Sequence, residues 1–153
     1  MSRFDFQQHF AALQPLFALG KSIRAGSLEP ALRELVDMRV SQINGCAFCL
    51  DMHSKDARAA GETEQRLYLL PAWRETALYS PRERAALAWA EALTRLGGHD
   101  AVPDALHEEV RAQFSEEELV QLTLLVTLIN GWNRLNIAAR TEAGGYRPGM
   151  FGR

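Results

Sequence analysis

Both cysteines of this chain fall in one short stretch, Asn44-Gly45-Cys46-Ala47-Phe48-Cys49-Leu50-Asp51-Met52-His53, and the segments on either side carry helical periodicity. That placement constrains the fold more than any other feature. Asn44-Gly45 tolerates the left-handed conformation that ends a helix, so the stretch reads as the turn of a helical hairpin whose second helix begins at once. Cys46 and Cys49 then sit one turn apart, with Cα atoms roughly 5 Å from each other, inside the usual range of about 4.4–6.8 Å for a disulfide. Cys49 and His53 stack at i and i+4 on one face. A thiol in the first turn of a helix faces unpaired N–H groups and the positive end of the dipole, which favours its thiolate. His53 can take the thiol proton or steady the anion.

The helix before the turn adds an acid. At ~1.5 Å per residue, Glu34 lies roughly 16 Å before Gly45 and His53 roughly 12 Å after it. If the two helices fold back on each other, the glutamate arrives near the imidazole and can orient it, as the acidic member of a triad does. The alternative is a solvated Glu34 paired with Arg33 or Arg39.

Along the chain, Phe6, Phe10, Leu13 and Phe17 predict an amphipathic helix from Phe4 to about Leu19, stopped by Gly20 and followed by a connector, Lys21 to Gly26. Ser27 is a candidate cap for a second helix, about Leu28 to Asn44, with Leu32, Leu35, Val36, Val40 and Ile43 as its buried stripe. A third runs from Cys46 to Ala60 and closes at Gly61. Thr63 can cap a short helix to about Ala72, and Trp73 to Tyr79 reads as a linker. Ser80-Pro81-Arg82-Glu83 is a capping box with proline at the first helical position, starting a helix to Leu96. A short helix follows from Pro103 to near Phe114. Ser115-Glu116-Glu117-Glu118 is a second capping box, opening an apolar helix to Arg140. No strand signal competes. The expectation is an all-α fold of about seven helices.

The 153 residues, 47% hydrophobic and 24% charged, suit a single domain spanning 1–153 with a sizeable core. A net charge of −2 argues against a nucleic-acid partner, which would require a basic face. No secretory h-region opens the chain. Its most apolar window, Leu119 to Ile129, falls short of the roughly 20 residues of a membrane span. The expectation is a cytoplasmic protein without a membrane partner. In a reducing compartment a C-x-x-C pair points to catalysis, redox chemistry or metal binding.

Those readings stay open at this point. A closed zinc site needs four ligands, and Cys46, Cys49 and His53 supply three. A thioredoxin-like site belongs with a βαβ pattern, which these helical flanks do not provide. A redox dithiol on a helical scaffold leads, with no cofactor and no metal. His9, His99 and His107 read as surface residues. Phe48, Leu50 and Met52 read as core or pocket wall. Asn130, Asn133 and Asn136 form a polar stripe on the last helix that reads as an interhelical or subunit contact ahead of a ligand site.

These residues resemble a known family. Glu34, Cys46-Ala47-Phe48-Cys49 and His53 follow the pattern E-x11-C-x-x-C-x3-H of the alkylhydroperoxidase D-like proteins, in the carboxymuconolactone decarboxylase-like superfamily. Ser41-Gln42-Ile43-Asn44-Gly45, Leu50-Asp51-Met52-His53-Ser54-Lys55 and Ile129-Asn130-Gly131-Trp132-Asn133-Arg134 are similar too, and the core of the likeness covers about residues 28–100. The resemblance implies an AhpD-like helical fold, assembly into homo-oligomers such as trimers or hexamers, and an antioxidant thiol peroxidase. Cys49 would be the peroxidatic cysteine, Cys46 the resolving one, and Glu34 with His53 the proton relay. The substrate would be a peroxide and the reductant an external dithiol, lipoyl-linked in that family. The family's best-characterised members carry a histidine where this chain has Phe48, and the superfamily's decarboxylases lack the cysteine pair. The alternatives are a dithiol–disulfide oxidoreductase and a metal-binding or redox-sensing module without peroxidase turnover.

Overall fold

The helix starts follow local chemistry. The computed structural model describes residues 2–151, and its regular structure is α1 (Phe10–Ala25), α2 (Pro30–Asn44), α3 (Ala47–Ala59), α4 (Glu64–Leu69), a 3-10 helix (Leu70–Glu75), α5 (Pro81–Thr94), α6 (Asp104–Arg111) and α7 (Glu116–Ala139). No strand occurs among the described residues, so the fold is all-α with the seven α-helices expected. At α5, Ser80 Oγ accepts the Glu83 N–H at 3.2 Å while the Glu83 carboxylate accepts the Ser80 N–H at 2.8 Å. Ser115 and Glu118 repeat the exchange at α7, and Thr63 caps α4. Two orphan donors are satisfied at each capping box. No helix is long and apolar enough to cross a membrane among the described residues.

Several boundaries differ from the sequence expectation. Gly20 does not stop the first helix but lies inside α1, where a Cβ would come within 3.4 Å of Leu128. Helix α1 runs on to Ala25 through most of the expected connector. The aromatic stripe of α1 is only partly inward. Leu13 is buried, whereas Phe10 and Phe17 are exposed and lie 5.3 Å apart, with Phe17 also 5.0 Å from Trp132. Ser27 is not the cap of α2. Glu29 holds that position and Pro30 opens the helix, while the Ser27 N–H goes to Gln121. Trp73, placed in a linker by the sequence, is buried in the 3-10 helix.

Helix α2 runs through the middle of the molecule. On one side Leu32, Val36 and Val40 pack with residues of α1, α5 and α7 such as Ile23, Ala86, Leu122 and Val126. On the other, Leu35 and Met38 pack with Ala57 of α3, Leu67 of α4, Leu70 and Trp73 of the 3-10 helix, and Leu87 of α5. Burying both faces also buries polar side chains, and these are paired. Arg39 Nε donates to Glu91 Oε1 at 2.7 Å, Trp73 Nε1 donates to the same oxygen at 2.9 Å, and Arg74 bonds the other oxygen. This node ties α2 to α5 and to the 3-10 helix.

Burial alone would raise the pKa of Glu91, but the donors Arg74, Trp73 and Arg39 outweigh it and hold the carboxyl below its ordinary value of 4.5. A depressed carboxylate contributes stability that is present above its unfolded-state pKa and lost as pH falls through the folded one. Glu91→Gln leaves the buried Arg39 guanidinium without its counter-charge, and such losses cost about 3–5 kcal/mol. Chemical denaturation near neutral pH should show a deficit of that order. The gap between variant and wild type should narrow as pH drops below the ordinary carboxylate range.

Candidate active site at the α2–α3 hairpin

The turn between α2 and α3 is made by Gly45, which adopts φ 69° and ψ 34°, the left-handed conformation that costs glycine least. It lets the chain reverse within one residue, so Cys46 becomes the N-cap of α3 and its N–H bonds Ser41 O at 3.1 Å. Cys46 and Cys49 are joined as a disulfide with Cα atoms 5.4 Å apart, in line with the spacing expected one turn apart. Both are 1% exposed. Of the first-turn donors, the Cys49 N–H donates to Cys46 Sγ at 3.4 Å.

One turn further on, His53 is 1% exposed. Its Nδ1 lies 2.8 Å from Glu34 Oε2, so the hairpin delivers the acid that the residue spacing anticipated. Arg33 bonds Leu28 O, and Arg39 is taken by Glu91 and Gln42. A second acid, not anticipated from the sequence, is also present. Asp37, buried, places Oδ2 3.6 Å from the same Nδ1. Its signal was available: three residues after Glu34, it shares that face of α2.

The asparagine stripe of α7 divides into two roles. Asn133 donates to Ser41 Oγ at 3.0 Å and accepts from Asn44 at 2.9 Å, and Asn130 accepts from Asn44 at 3.0 Å while donating to Thr94. These are the interhelical contacts expected, and they pin the end of α2 just before the turn. Asn136 instead faces the redox pair, with Nδ2 3.7 Å from Cys49 Sγ. No short motif announces that contact, because it depends on how α7 crosses α3.

Helix α3 also anchors the C-terminal segment. Lys55 Nζ bonds Gly144 O at 3.1 Å and Tyr146 O at 3.0 Å, Asp51 accepts the Gly144 N–H, and the Tyr146 hydroxyl bonds Asp56. The hydrogen bond from Lys55 is the main reason the Asp51 carboxyl is held below its ordinary range; partial burial works against it. Phe48 is half-buried, with its ring 6.4 Å from that of Phe151. His9, His99 and His107 are exposed, as expected.

Among the described residues, Glu34, Asp37 and His53 each bring one potential ligand atom within 4.8 Å of the others. That set contains no sulfur, so it is not the Cys46, Cys49 and His53 trio weighed as a zinc site. The sulfurs are instead bonded to each other. Chemically, the hairpin combines a cysteine pair able to carry two electrons with an imidazole whose Nδ1 faces two carboxylates.

The model of the carboxymuconolactone decarboxylase family matches residues 10–92, a range that holds Glu34, both cysteines and His53. The uncharacterised protein YdfG of Bacillus subtilis is 49% identical over 123 residues, covering 80% of this chain and 83% of its own. A crystal structure from Agrobacterium tumefaciens, of a protein of unknown function described as a candidate antioxidant defence protein AhpD, superposes with a TM-score of 0.89 at 37% identity. It covers 95% of this chain and 100% of its own. The debrominase Bmp8 shares the fold at a TM-score of 0.80, with 21% identity over 92% of this chain and 75% of its own.

An ionised carboxylate only accepts hydrogen bonds, so beside ionised Glu34 a neutral His53 ring would carry its hydrogen on Nδ1 and leave the Nε2 lone pair open. Nitrogen-15 NMR of the ring should report the Nδ1–H tautomer in the wild type. Replacing both acids, Glu34→Leu with Asp37→Leu, should shift the population towards Nε2–H.

Proposed function

The chain belongs to the carboxymuconolactone decarboxylase family, and on that footing we propose that it is a thiol-dependent peroxidase of the alkylhydroperoxidase D type. The observation that carries the reading is the pairing of a Cys46–Cys49 disulfide with His53 one turn further on, its Nδ1 2.8 Å from Glu34. The likeness to the Agrobacterium tumefaciens protein described in antioxidant terms supports it.

In the proposed cycle His53 takes the Cys49 thiol proton, and Glu34 holds the ring in the tautomer that accepts it. The Cys49 thiolate attacks one peroxide oxygen and the O–O bond breaks. The leaving alkoxide takes the proton from His53 and departs as an alcohol, and Cys49 is left as a sulfenic acid. The Cys46 sulfur attacks Cys49 Sγ, the S–O bond breaks, and the departing hydroxide takes the Cys46 proton to form water. Two electrons have passed from the sulfur pair to the peroxide. An external dithiol then reduces the disulfide by exchange and ends as its own disulfide. A lipoyl-linked dithiol is the reductant that this reading favours. Assembly into a trimer or hexamer belongs to the same proposal. The exposed aromatic pair Phe10 and Phe17 supports it as a surface for a second copy.

Cys49→Ser should abolish peroxide reduction measured with a dithiol reductant. Full turnover by that variant would reject the assignment. Peptide mapping of the wild type should find the Cys46–Cys49 bond formed by peroxide and opened by reductant, and faster turnover on small disulfides than on peroxides would favour a dithiol–disulfide oxidoreductase.

Glu34→Gln keeps the size of the side chain but removes the anion that orients His53. Thiolate formation at Cys49, followed by ultraviolet thiolate absorbance against pH in the reduced protein, should move to higher pH in Glu34→Gln. An identical profile would remove Glu34 from the relay.

A further inference from the structure

The two sulfurs are not equivalently placed. Cys46 Sγ receives a main-chain N–H, that of Cys49, at 3.4 Å. Cys49 Sγ receives a side-chain donor from another helix, Asn136 Nδ2 at 3.7 Å. The orientation of that amide is fixed. The same Nδ2 lies 2.9 Å from Trp132 O, and a carbonyl can only accept, so the nitrogen and not the oxygen faces this way. One amide hydrogen goes to Trp132 and the second is left for the sulfur. Asn136 is 7% exposed. The other asparagines of the stripe, Asn130 and Asn133, point their amides at α2 and α5.

We propose that Asn136 is a working residue of the redox site: its amide N–H holds Cys49 as a thiolate in the reduced protein, giving this sulfur a donor of its own beside the one that Cys46 takes from the main chain. A neutral thiol is a weak acceptor and a thiolate a strong one, so a fixed donor favours the ionised form. Little water competes at a sulfur this buried, and the bond carries more weight there than it would at the surface. The donor also favours the dithiol over the disulfide, since the charge it stabilises exists only after reduction. The name of the attacking sulfur rests on the peroxidase reading above; the stabilised thiolate does not.

The test uses the full chain in a Cys46→Ser background, where Cys49 is the only thiol, with thiolate absorbance followed against pH. Asn136→Ala should raise the Cys49 midpoint by about one pH unit, equivalent to roughly tenfold less thiolate below the midpoint. Asn136→Asp, nearly the same shape but an acceptor with negative charge, should raise it further. In the chain with both cysteines, Asn136→Ala should favour the disulfide about tenfold, a reduction potential roughly 30 mV more negative. A residue that only fills space would lower thermal stability in Asn136→Ala and leave the midpoint unmoved in both variants, and that result overturns the proposal. Should neither variant fold, NMR of Cys46→Ser decides: the Asn136 side-chain N–H resonances should titrate with the Cys49 midpoint, and resonances that ignore it overturn the assignment. An active Cys49→Ser enzyme would remove the peroxidase reading while leaving the thiolate result standing.

Discussion

Every residue of α2 from Leu35 to Ser41 is buried, and three of them, Asp37, Arg39 and Ser41, are polar. A helix enclosed on all sides cannot leave such groups to water, so each must find a partner on a neighbouring helix. Arg39 finds Glu91 on α5, Ser41 finds Asn133 on α7, and Asp37 with Glu34 finds His53 on α3. Those three pairings fix the rotation of α2 about its own axis. They therefore fix where the turn at Gly45 emerges and which way the first turn of α3 presents its sulfurs. The polar interior is also what gives the site its geometry, because apolar packing alone would tolerate small rotations that hydrogen bonds do not.

The cost of that arrangement is concentrated at the site. Two carboxylates and an imidazole lie within 4.8 Å of each other, with His53 and Asp37 buried and Glu34 half-buried. Both acids face Nδ1 of the ring, so on the peroxidase reading Nε2 is the nitrogen that takes up the thiol proton. Among the described residues His53 Nε2 has no hydrogen-bond partner, which is the state a proton acceptor needs before it acts.

What the sequence disclosed follows a physical division. Local chemistry was legible: the capping boxes at Ser80 and Ser115, the left-handed turn at Gly45 and the one-turn spacing of Cys46 and Cys49 depend on residues a few positions apart. The Glu34–His53 contact was legible as well, because a tight hairpin converts residue counts into axial distance. Gly20 misled because a glycine weakens a helix without having to end it, and here the helix continues to Ala25 with Gly20 buried inside it. Phe10 and Phe17 misled because periodicity finds an apolar face without saying what covers it. Arg39 entered only as a surface partner for Glu34 and Asp37 was not singled out, since a helix buried all round is marked by its neighbours and not by its own pattern. Asn136 was noticed as part of a stripe, but its separation from Asn133 in role depends on how α7 crosses α3.

Position 48 sets the last constraint. Between the cysteines, where the resemblance places a histidine in well-characterised relatives, this chain has Phe48, a half-buried ring near Phe151 that can neither donate nor accept a proton. His53 is then the only imidazole on α3. On the peroxidase reading, both the proton leaving Cys49 and the proton reaching the alkoxide must pass through that one ring. A single carrier serving two steps works best when its orientation does not change between them. Two acids at Nδ1 provide that, since loss of one contact leaves the other to hold the ring.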